Sequence, residues 1–103
     1  MTRIYGLKTC DTCRKAVKAL GAELQDVREN PLSRADLERF HAAFGEKILN
    51  TRSTTWRGLD EAERARPMLD LITEHPALMK RPVIERDGQL YLGWAKDVQI
   101  ALL

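Results

Sequence analysis

The chain has 103 residues, of which 44% are hydrophobic and 31% charged, and its formal net charge is +2. This length predicts one domain, 1–103, with a single core. The near balance of 17 basic and 15 acidic side chains gives no support to direct nucleic-acid binding. No apolar run is long enough to span a bilayer, and no secretory signal is visible. We therefore expect a cytoplasmic protein without membrane contact, in which a close cysteine pair is typically catalytic or metal-binding.

The first part of the chain predicts a strand, a helix and a second strand. Ile4 lies in a short strand-like run that the segment Gly6–Thr9 is expected to end. From Thr12 to Leu20, apolar residues recur at helical spacing, and Gly21 supplies a helix stop. The segment Leu24–Val27 then has the composition of a short second strand.

The middle of the chain predicts a helical insert of about residues 31–79. Ser33 and Asp36 form a variant of the capping box, followed by an amphipathic helix. The segment 50–58 is polar and predicts a loop. Two further helical segments follow it, and Pro76 breaks the second of them.

The last part of the chain predicts a β-hairpin and a terminal helix. A strand begins at Val83, Asp87-Gly88 forms a hairpin turn, and Leu90–Leu92 forms the return strand. The residues of the terminal helix that we expect to face inward are Val98, Ala101 and Leu102. The order β-α-β, helical insert, β-β-α predicts an α/β, thioredoxin-like fold with a four-stranded mixed sheet, and it also fits other small α/β folds.

The motif C-D-T-C, which runs from Cys10 to Cys13, is the strongest chemical signal. It follows a predicted strand and opens a predicted helix, the setting in which such a pair is typically redox-active. The free N–H groups and dipole of the helix start favour a thiolate at Cys10, and Lys8, Arg14 and Lys15 add positive charge nearby. Cys13 lies on the same helix face. We therefore predict that Cys10 is the nucleophile and Cys13 the resolving cysteine.

Two other roles of the cysteines are packing in the core and zinc binding. Cys13 is also suited to packing on the apolar face of the helix, in which case Cys10 acts alone. A zinc site would need two more ligands, and His41 and His75 lack the required spacing. We therefore predict no metal site.

Arg52 and Arg81 are the candidate anion-binding residues. Arg52 lies in the polar segment, and Arg81 precedes Pro82 at the start of the third predicted strand. In a thioredoxin-like layout the residue before that proline faces the cysteine loop and the proline is typically cis. An arginine there would form a bidentate hydrogen bond with a carboxylate or oxyanion and would favour the Cys10 thiolate. The alternatives are solvated surface arginines and a trans Pro82 at a strand start.

Four segments together resemble the Spx/arsenate reductase (ArsC) family of thioredoxin-fold proteins. They are YGLKTCDTCRKAVKAL, LNTRSTTWRGL, HPALMKRPVI and LYLGW, and they follow one another from residue 5 to residue 94, so that the match spans nearly the whole chain in order. The resemblance implies that Cys10 is the nucleophile, that Arg52 and Arg81 bind an anion, and that Pro82 is the cis-proline. We group Lys8 and Pro82 with the two arginines as the substrate or anion site.

The resemblance leaves three functions open. The segment NTRSTTWRGL is most similar to a short branch of the family, for which a glutathione-dependent thiol reductase is the usual proposal; glutathione would be a co-substrate, with no bound cofactor. The C-D-T-C motif also resembles the redox switch of Spx regulators, which bind RNA polymerase rather than DNA directly. Arsenate reduction is the third. Reductases of that type carry another arginine on the return strand, which Leu90–Gly93 lacks, and take their second sulfur from glutaredoxin and glutathione, whereas Cys13 is available here.

Overall fold

The computed structural model describes all 103 residues, which form two compact units. One unit comprises Met1–Asn30 together with Arg81–Leu103, and the other comprises Pro31–Lys80. The assignment of the whole chain to one domain with a helical insert of about 31–79 stays a prediction. No helix is long and apolar enough to cross a membrane.

The strands all belong to the first unit. They are β1 Thr2–Gly6, β2 Glu23–Asp26, β3 Val83–Arg86 and β4 Gln89–Leu92. They form one sheet in the order β2-β1-β3-β4, in which β1 pairs parallel with β2 and antiparallel with β3, and β3 pairs antiparallel with β4. Ile4 of β1 lies opposite Leu24 on one side and Ile84 on the other. This mixed sheet confirms the predicted thioredoxin-like α/β fold.

The helices are distributed over both units. They are α1 Asp11–Leu20, α2 Arg34–Phe44, α3 Thr54–Arg57, α4 Glu61–Arg64, α5 Met68–Glu74 and α6 Lys96–Leu102, and 3₁₀ turns cover Gly45–Ile48 and Pro76–Leu78. Helix α1 stops as predicted, since Gly21 adopts a left-handed conformation and its N–H donates to the Val17 carbonyl at 2.9 Å.

The core of the first unit lies between the sheet and the helices α1 and α6. Its buried members are Ile4, Ala16, Ile84, Val98 and Leu102, with Trp94 and Tyr91 among the half-buried residues packed against it. The prediction that Ala101 faces inward is wrong, because Ala101 is exposed. Val98 and Leu102, four residues apart, share the buried face, whereas Ala101 shares its face with the exposed Asp97.

The Asp87-Gly88 turn and the end of β1 show how local sequence positions the strands of the first unit. Asp87 and Gly88 both have positive φ, as a two-residue hairpin turn requires, and this confirms the predicted hairpin. The segment Gly6–Thr9 was predicted to end the first strand, and this is confirmed: Gly6 is the last residue of β1 and lies opposite Asp26 of β2. Gly6 is buried, so it is part of the sheet rather than of the following loop.

The second unit is built from short, individually capped helices. The Ser33 hydroxyl accepts the Asp36 N–H at 3.1 Å and starts α2 as predicted. The prediction of a loop over 50–58 is wrong for its second half, which contains α3. Ser53 caps that helix by accepting the Trp56 N–H at 3.1 Å, a start signal that a polar composition conceals.

Candidate functional site

Cys10 occupies the junction between β1 and α1. Its backbone is extended and forms the N-cap of α1, and its carbonyl accepts the Arg14 N–H at 3.0 Å, the first bond of the helix. Its own N–H donates to the Leu7 carbonyl at 3.0 Å and closes the turn that leads out of β1. The half-buried Cys10 side chain therefore lies where the unpaired N–H groups of a ten-residue helix begin.

A carboxylate at the end of β2 holds the loop that carries Cys10. Asp26 Oδ2 accepts the Lys8 N–H at 2.9 Å, and Oδ1 accepts the N–H groups of Arg28 and Glu29 at 2.9 and 3.1 Å. Partial burial opposes ionisation, but these backbone donors outweigh it and hold the pKa of Asp26 below its usual value. Asp26 was not among the predicted site residues. Its one local signal is that an Asp side chain can accept the backbone N–H groups two and three residues further along the chain.

The environment of Cys10 favours its thiolate. Partial burial acts to raise the pKa, but the backbone N–H of Cys13, the Cys13 thiol and the Arg81 guanidinium outweigh it and lower the pKa of Cys10. The Cys10 side chain makes no capping hydrogen bond at the start of α1. We therefore attribute the lowering of its pKa by the Cys13 N–H to a hydrogen bond that the Cys10 thiolate accepts. Cys10 is thus suited to be the nucleophile.

Cys13 has the opposite character. Its side chain is fully buried on the inner face of α1. Burial raises the pKa of Cys13 to about 12; the Leu7 N–H partly opposes this, and the hydrogen bond to Cys10 together with the charge of Cys10 adds to it. Cys13 is therefore held as a protonated thiol that donates to the Cys10 sulfur.

Arg81 is brought to the cysteine pair by the segment that enters β3. The Arg81–Pro82 peptide bond is cis, as the resemblance implies. The Pro82 carbonyl accepts the Gly93 N–H at 2.8 Å, which ties this segment to the end of β4. A hydrogen bond from the half-buried Arg81 and its positive charge both act to lower the pKa of Cys10. Arg81 is therefore close enough to Cys10 to be the charged part of the candidate site.

The other predicted basic residues have different surroundings. The Lys8 ammonium forms an ion pair with Glu29 at the surface. Arg14 Nη1 lies 3.9 Å from Asp11 Oδ1. Arg52 belongs to the second unit, where it is exposed and its N–H donates to Asn50 Oδ1 at 3.1 Å. The roles of Lys8 and Arg52 in anion binding stay predictions.

Three potential metal ligands come together in the second unit. One atom each of Glu63, Glu74 and His75 lie within 4.8 Å of one another. Arg66 Nη1 donates to the carboxylates of Glu63 and Glu74 at 2.9 and 2.5 Å. The guanidinium already neutralises these carboxylates and would repel a cation, so we assign no metal to them.

The model of the ArsC family matches residues 5–101 of this chain. The chain belongs to the ArsC family. It is 38% identical to an uncharacterised protein of Haemophilus influenzae over 98% of both chains. It is 32% identical to the global transcriptional regulator Spx of Bacillus subtilis, over 94% of this chain and 82% of the regulator. The solved structure of the YFFB (PA3664) protein matches it with a TM-score of 0.88 and 32% identity, over 100% of this chain and 99% of that one.

The arrangement in this ArsC-family chain has the parts that thiol–disulfide exchange requires. Cys10 is a partly accessible thiol with a lowered pKa, and Cys13 is a second sulfur in hydrogen-bond contact with it. Both cysteines are free. Arg81 provides a planar, permanently charged group near Cys10, suited to a carboxylate or an oxyanion. Together, a partly accessible thiol with a lowered pKa, a neighbouring thiol and a cation are suited to thiol–disulfide exchange.

Proposed function

We propose that this ArsC-family protein is a thiol–disulfide oxidoreductase that acts on mixed disulfides of glutathione. The observation that supports this most directly is the pairing of opposite environments: the pKa of Cys10 is lowered and that of Cys13 is raised by burial. Such a pair supplies an attacking thiolate first and a protonated thiol in reserve. Glutathione suits the site because it carries two carboxylates that a guanidinium can bind.

The first step is attack on the substrate. The Cys10 thiolate attacks the glutathione sulfur of a mixed disulfide, so that a bond forms between Cys10 and glutathione. The original disulfide bond breaks, and the other thiol leaves as a thiolate that takes a proton from water. Arg81 holds a carboxylate of the glutathione moiety beside Cys10 and keeps Cys10 ionised before attack.

The second step releases glutathione. Cys13 loses its proton and attacks the Cys10 sulfur, which forms the Cys10–Cys13 disulfide and expels the glutathione thiolate. That thiolate takes up the proton. Two further glutathione molecules supply the two electrons that reduce the protein disulfide, and they leave as oxidised glutathione. The sum of these steps is the reduction of one mixed disulfide by one glutathione.

Turnover tests the proposal. The purified protein is mixed with the mixed disulfide of glutathione and cysteine in the presence of excess glutathione, and oxidised glutathione is measured against protein concentration. We expect many equivalents of product per protein and none above background with Cys10→Ser. When the mixed disulfide is added without free glutathione, we expect a Cys10–glutathione adduct that accumulates with Cys13→Ser. Product limited to one equivalent or less per protein would overturn the enzyme proposal. Arsenate in place of the mixed disulfide forms a second arm and tests arsenate reduction.

A second candidate function is a redox-sensing regulator. Its support is the 32% identity to the regulator Spx over 94% of this chain. In this case the Cys10–Cys13 disulfide would form once and change a surface that binds RNA polymerase. Capture of purified RNA polymerase by the oxidised and reduced protein tests it: binding that depends on the redox state, without turnover, would favour the regulator. Equal or absent binding in both states would exclude it.

A further inference from the structure

Gly6 and Cys13 make the closest packing contact of the cysteine pair. A Cβ atom built on Gly6 would lie 2.3 Å from the Cys13 Sγ and 3.3 Å from the Cys13 Cβ. The first distance is far inside van der Waals contact between carbon and sulfur. The Cys13 side chain is fully buried, so the sulfur could yield only by moving within the packed interior. Any side chain at position 6 would therefore displace Cys13.

The backbone does not require a glycine at position 6. Gly6 is not among the glycines with positive φ; it lies in β1 opposite Asp26, and its carbonyl accepts the Val27 N–H at 2.9 Å. Glycine is unfavourable in a strand and often marks a close approach of another group. The group that approaches here is the Cys13 sulfur.

We propose that Gly6 is a positioning residue for the cysteine pair: its missing side chain lets the Cys13 sulfur lie against the end of β1, in contact with Cys10. This inference rests on the proposed thiol–disulfide exchange and names a residue that controls its second step. When Cys13 attacks the Cys10–glutathione disulfide, the new sulfur–sulfur bond forms as the glutathione thiolate leaves with the proton that Cys13 gave up. The attacking sulfur must be in line with the bond that breaks. Gly6 would thus decide whether Cys13 or a second glutathione resolves the adduct.

The first test is the variant Gly6→Ala. The Cys10–glutathione adduct is prepared on the purified protein, and its conversion to the Cys10–Cys13 disulfide is followed by acid quenching and mass spectrometry. A misplaced reacting atom typically costs one to two orders of magnitude in rate, so we expect conversion to slow by roughly 10- to 100-fold. We also expect the pH profile of Cys10 alkylation to move to higher pH, because the hydrogen bond from Cys13 is weakened.

Gly58→Ala is the matched control. Gly58 follows α3 in the second unit with a φ of −80°, and a Cβ there would meet the nearest atom, the Thr55 carbonyl oxygen, at 3.5 Å, an ordinary contact. This variant should leave adduct conversion and the Cys10 profile unchanged. Adduct conversion at the wild-type rate in folded Gly6→Ala would overturn the proposal.

A double-mutant cycle separates positioning from a general need for glycine in the strand. In a Cys13→Ala background the sulfur is absent, and the nearest contact of the added Cβ is 3.3 Å. Gly6→Ala should therefore lower the melting temperature and shift the Cys10 profile much less in Cys13→Ala than in the wild type. Equal effects in both backgrounds, or failure of both variants to fold, would mean that Gly6 serves the strand alone. These measurements need no turnover, so their outcome stays separate from that of the enzyme assay.

Discussion

Arg81 lowers the pKa of Cys10 through a hydrogen bond and its charge, although the two residues lie in separate stretches of the first unit, one on each side of the segment Pro31–Lys80 in the sequence. Its guanidinium places a permanent positive charge near the Cys10 sulfur from outside α1. The start of α1 and the Cys13 thiol supply the other stabilising donors. The reactivity of Cys10 therefore depends on β3 being correctly placed, as well as on the C-D-T-C motif.

Replacing Arg81 with Ala should raise the pKa of Cys10, since both a hydrogen bond and a charge are lost. Alkylation of Cys10 would then require higher pH; below the pKa, each unit of upward shift lowers the thiolate fraction and the rate about tenfold. Arg81→Lys should restore part of the charge effect without the planar fork. Thiolate absorbance against pH measures both variants, with the exposed Arg3→Ala as the control. Superimposable curves for wild type and Arg81→Ala would mean that Arg81 does not act on Cys10.

Cys10 should react before Cys13 with a limiting alkylating reagent near neutral pH. Cys10 is partly exposed and its pKa is lowered, whereas Cys13 is fully buried with a pKa raised by burial to about 12. Peptide mass spectrometry after a short reaction identifies the labelled residue. In denaturant, where both environments are lost, the two should be labelled at similar rates. Faster labelling of Cys13 in the folded protein would reverse the assignment of roles.

Mild oxidation should join Cys10 and Cys13 in an intramolecular disulfide. Cys13 acts directly on the pKa of Cys10, so the two thiols are near neighbours in the reduced protein, and residues three apart at a helix start can bring their sulfurs to bonding distance. The intact protein would lose the mass of two hydrogen atoms and resist alkylation, whereas Cys13→Ser would show neither change. If oxidised protein contains only intermolecular dimers, Cys13 is not the resolving cysteine.

Much of the first unit follows from local sequence signals. The Asp87-Gly88 turn, the stop at Gly21 and the cysteine motif after the first strand depend on residues that are close in sequence, and the structure confirms them. The Ser33 cap of α2 is local in the same sense. A pattern of nearby residues is sufficient where the physical cause lies within one turn or one strand.

The features that sequence patterns could not supply depend on contacts between distant segments. Gly6 reads as a strand terminator until the Cys13 sulfur is placed against it. Lys8 reads as a free charge near Cys10, but its ammonium pairs with Glu29, which follows β2. Asp26 gains its role only because β2 lies beside β1 and brings a carboxylate to the Lys8 N–H. The deciding neighbour of Gly6 is set by the packing of α1 against β1, and those of Lys8 are set by the pairing of β2 with β1.

Arg52 tests how far the family resemblance extends. The resemblance assigns it to anion binding, while Arg81 acts on Cys10. Arg52→Ala should therefore raise KM for the glutathione mixed disulfide by several-fold and leave the Cys10 titration unchanged. Arg57→Ala, which removes another exposed arginine of the same unit, is the matched control and should leave KM unchanged. Equal KM values for the two variants and the wild type would confine the anion site to Arg81.

Cys13 should make the fold less stable at alkaline pH. Burial raises the pKa of Cys13 from 9.0 to about 12, so above pH 9 the unfolded chain loses this proton while the folded protein keeps it. The unfolded state then binds fewer protons, and stability falls with pH by up to about 1.4 kcal/mol per unit between these two values. The ionisation of Cys10 changes stability in the opposite direction and in a lower pH range. Because the pKa of Cys10 is lowered in the fold, its ionisation adds stability only as the pH rises towards 9.0.

Urea unfolding of wild type and Cys13→Ala under reducing conditions isolates this effect, since the other lysine and tyrosine titrations are common to both proteins. The variant loses buried packing at every pH, so it starts less stable. The difference between the two free energies of unfolding should shrink steadily from about pH 9 to about pH 10.5, because only the wild type bears the cost of keeping Cys13 protonated. A difference that stays constant over this range would mean that Cys13 ionises as readily in the fold as in the unfolded chain, and the high-pKa thiol on which the resolving step relies would not exist.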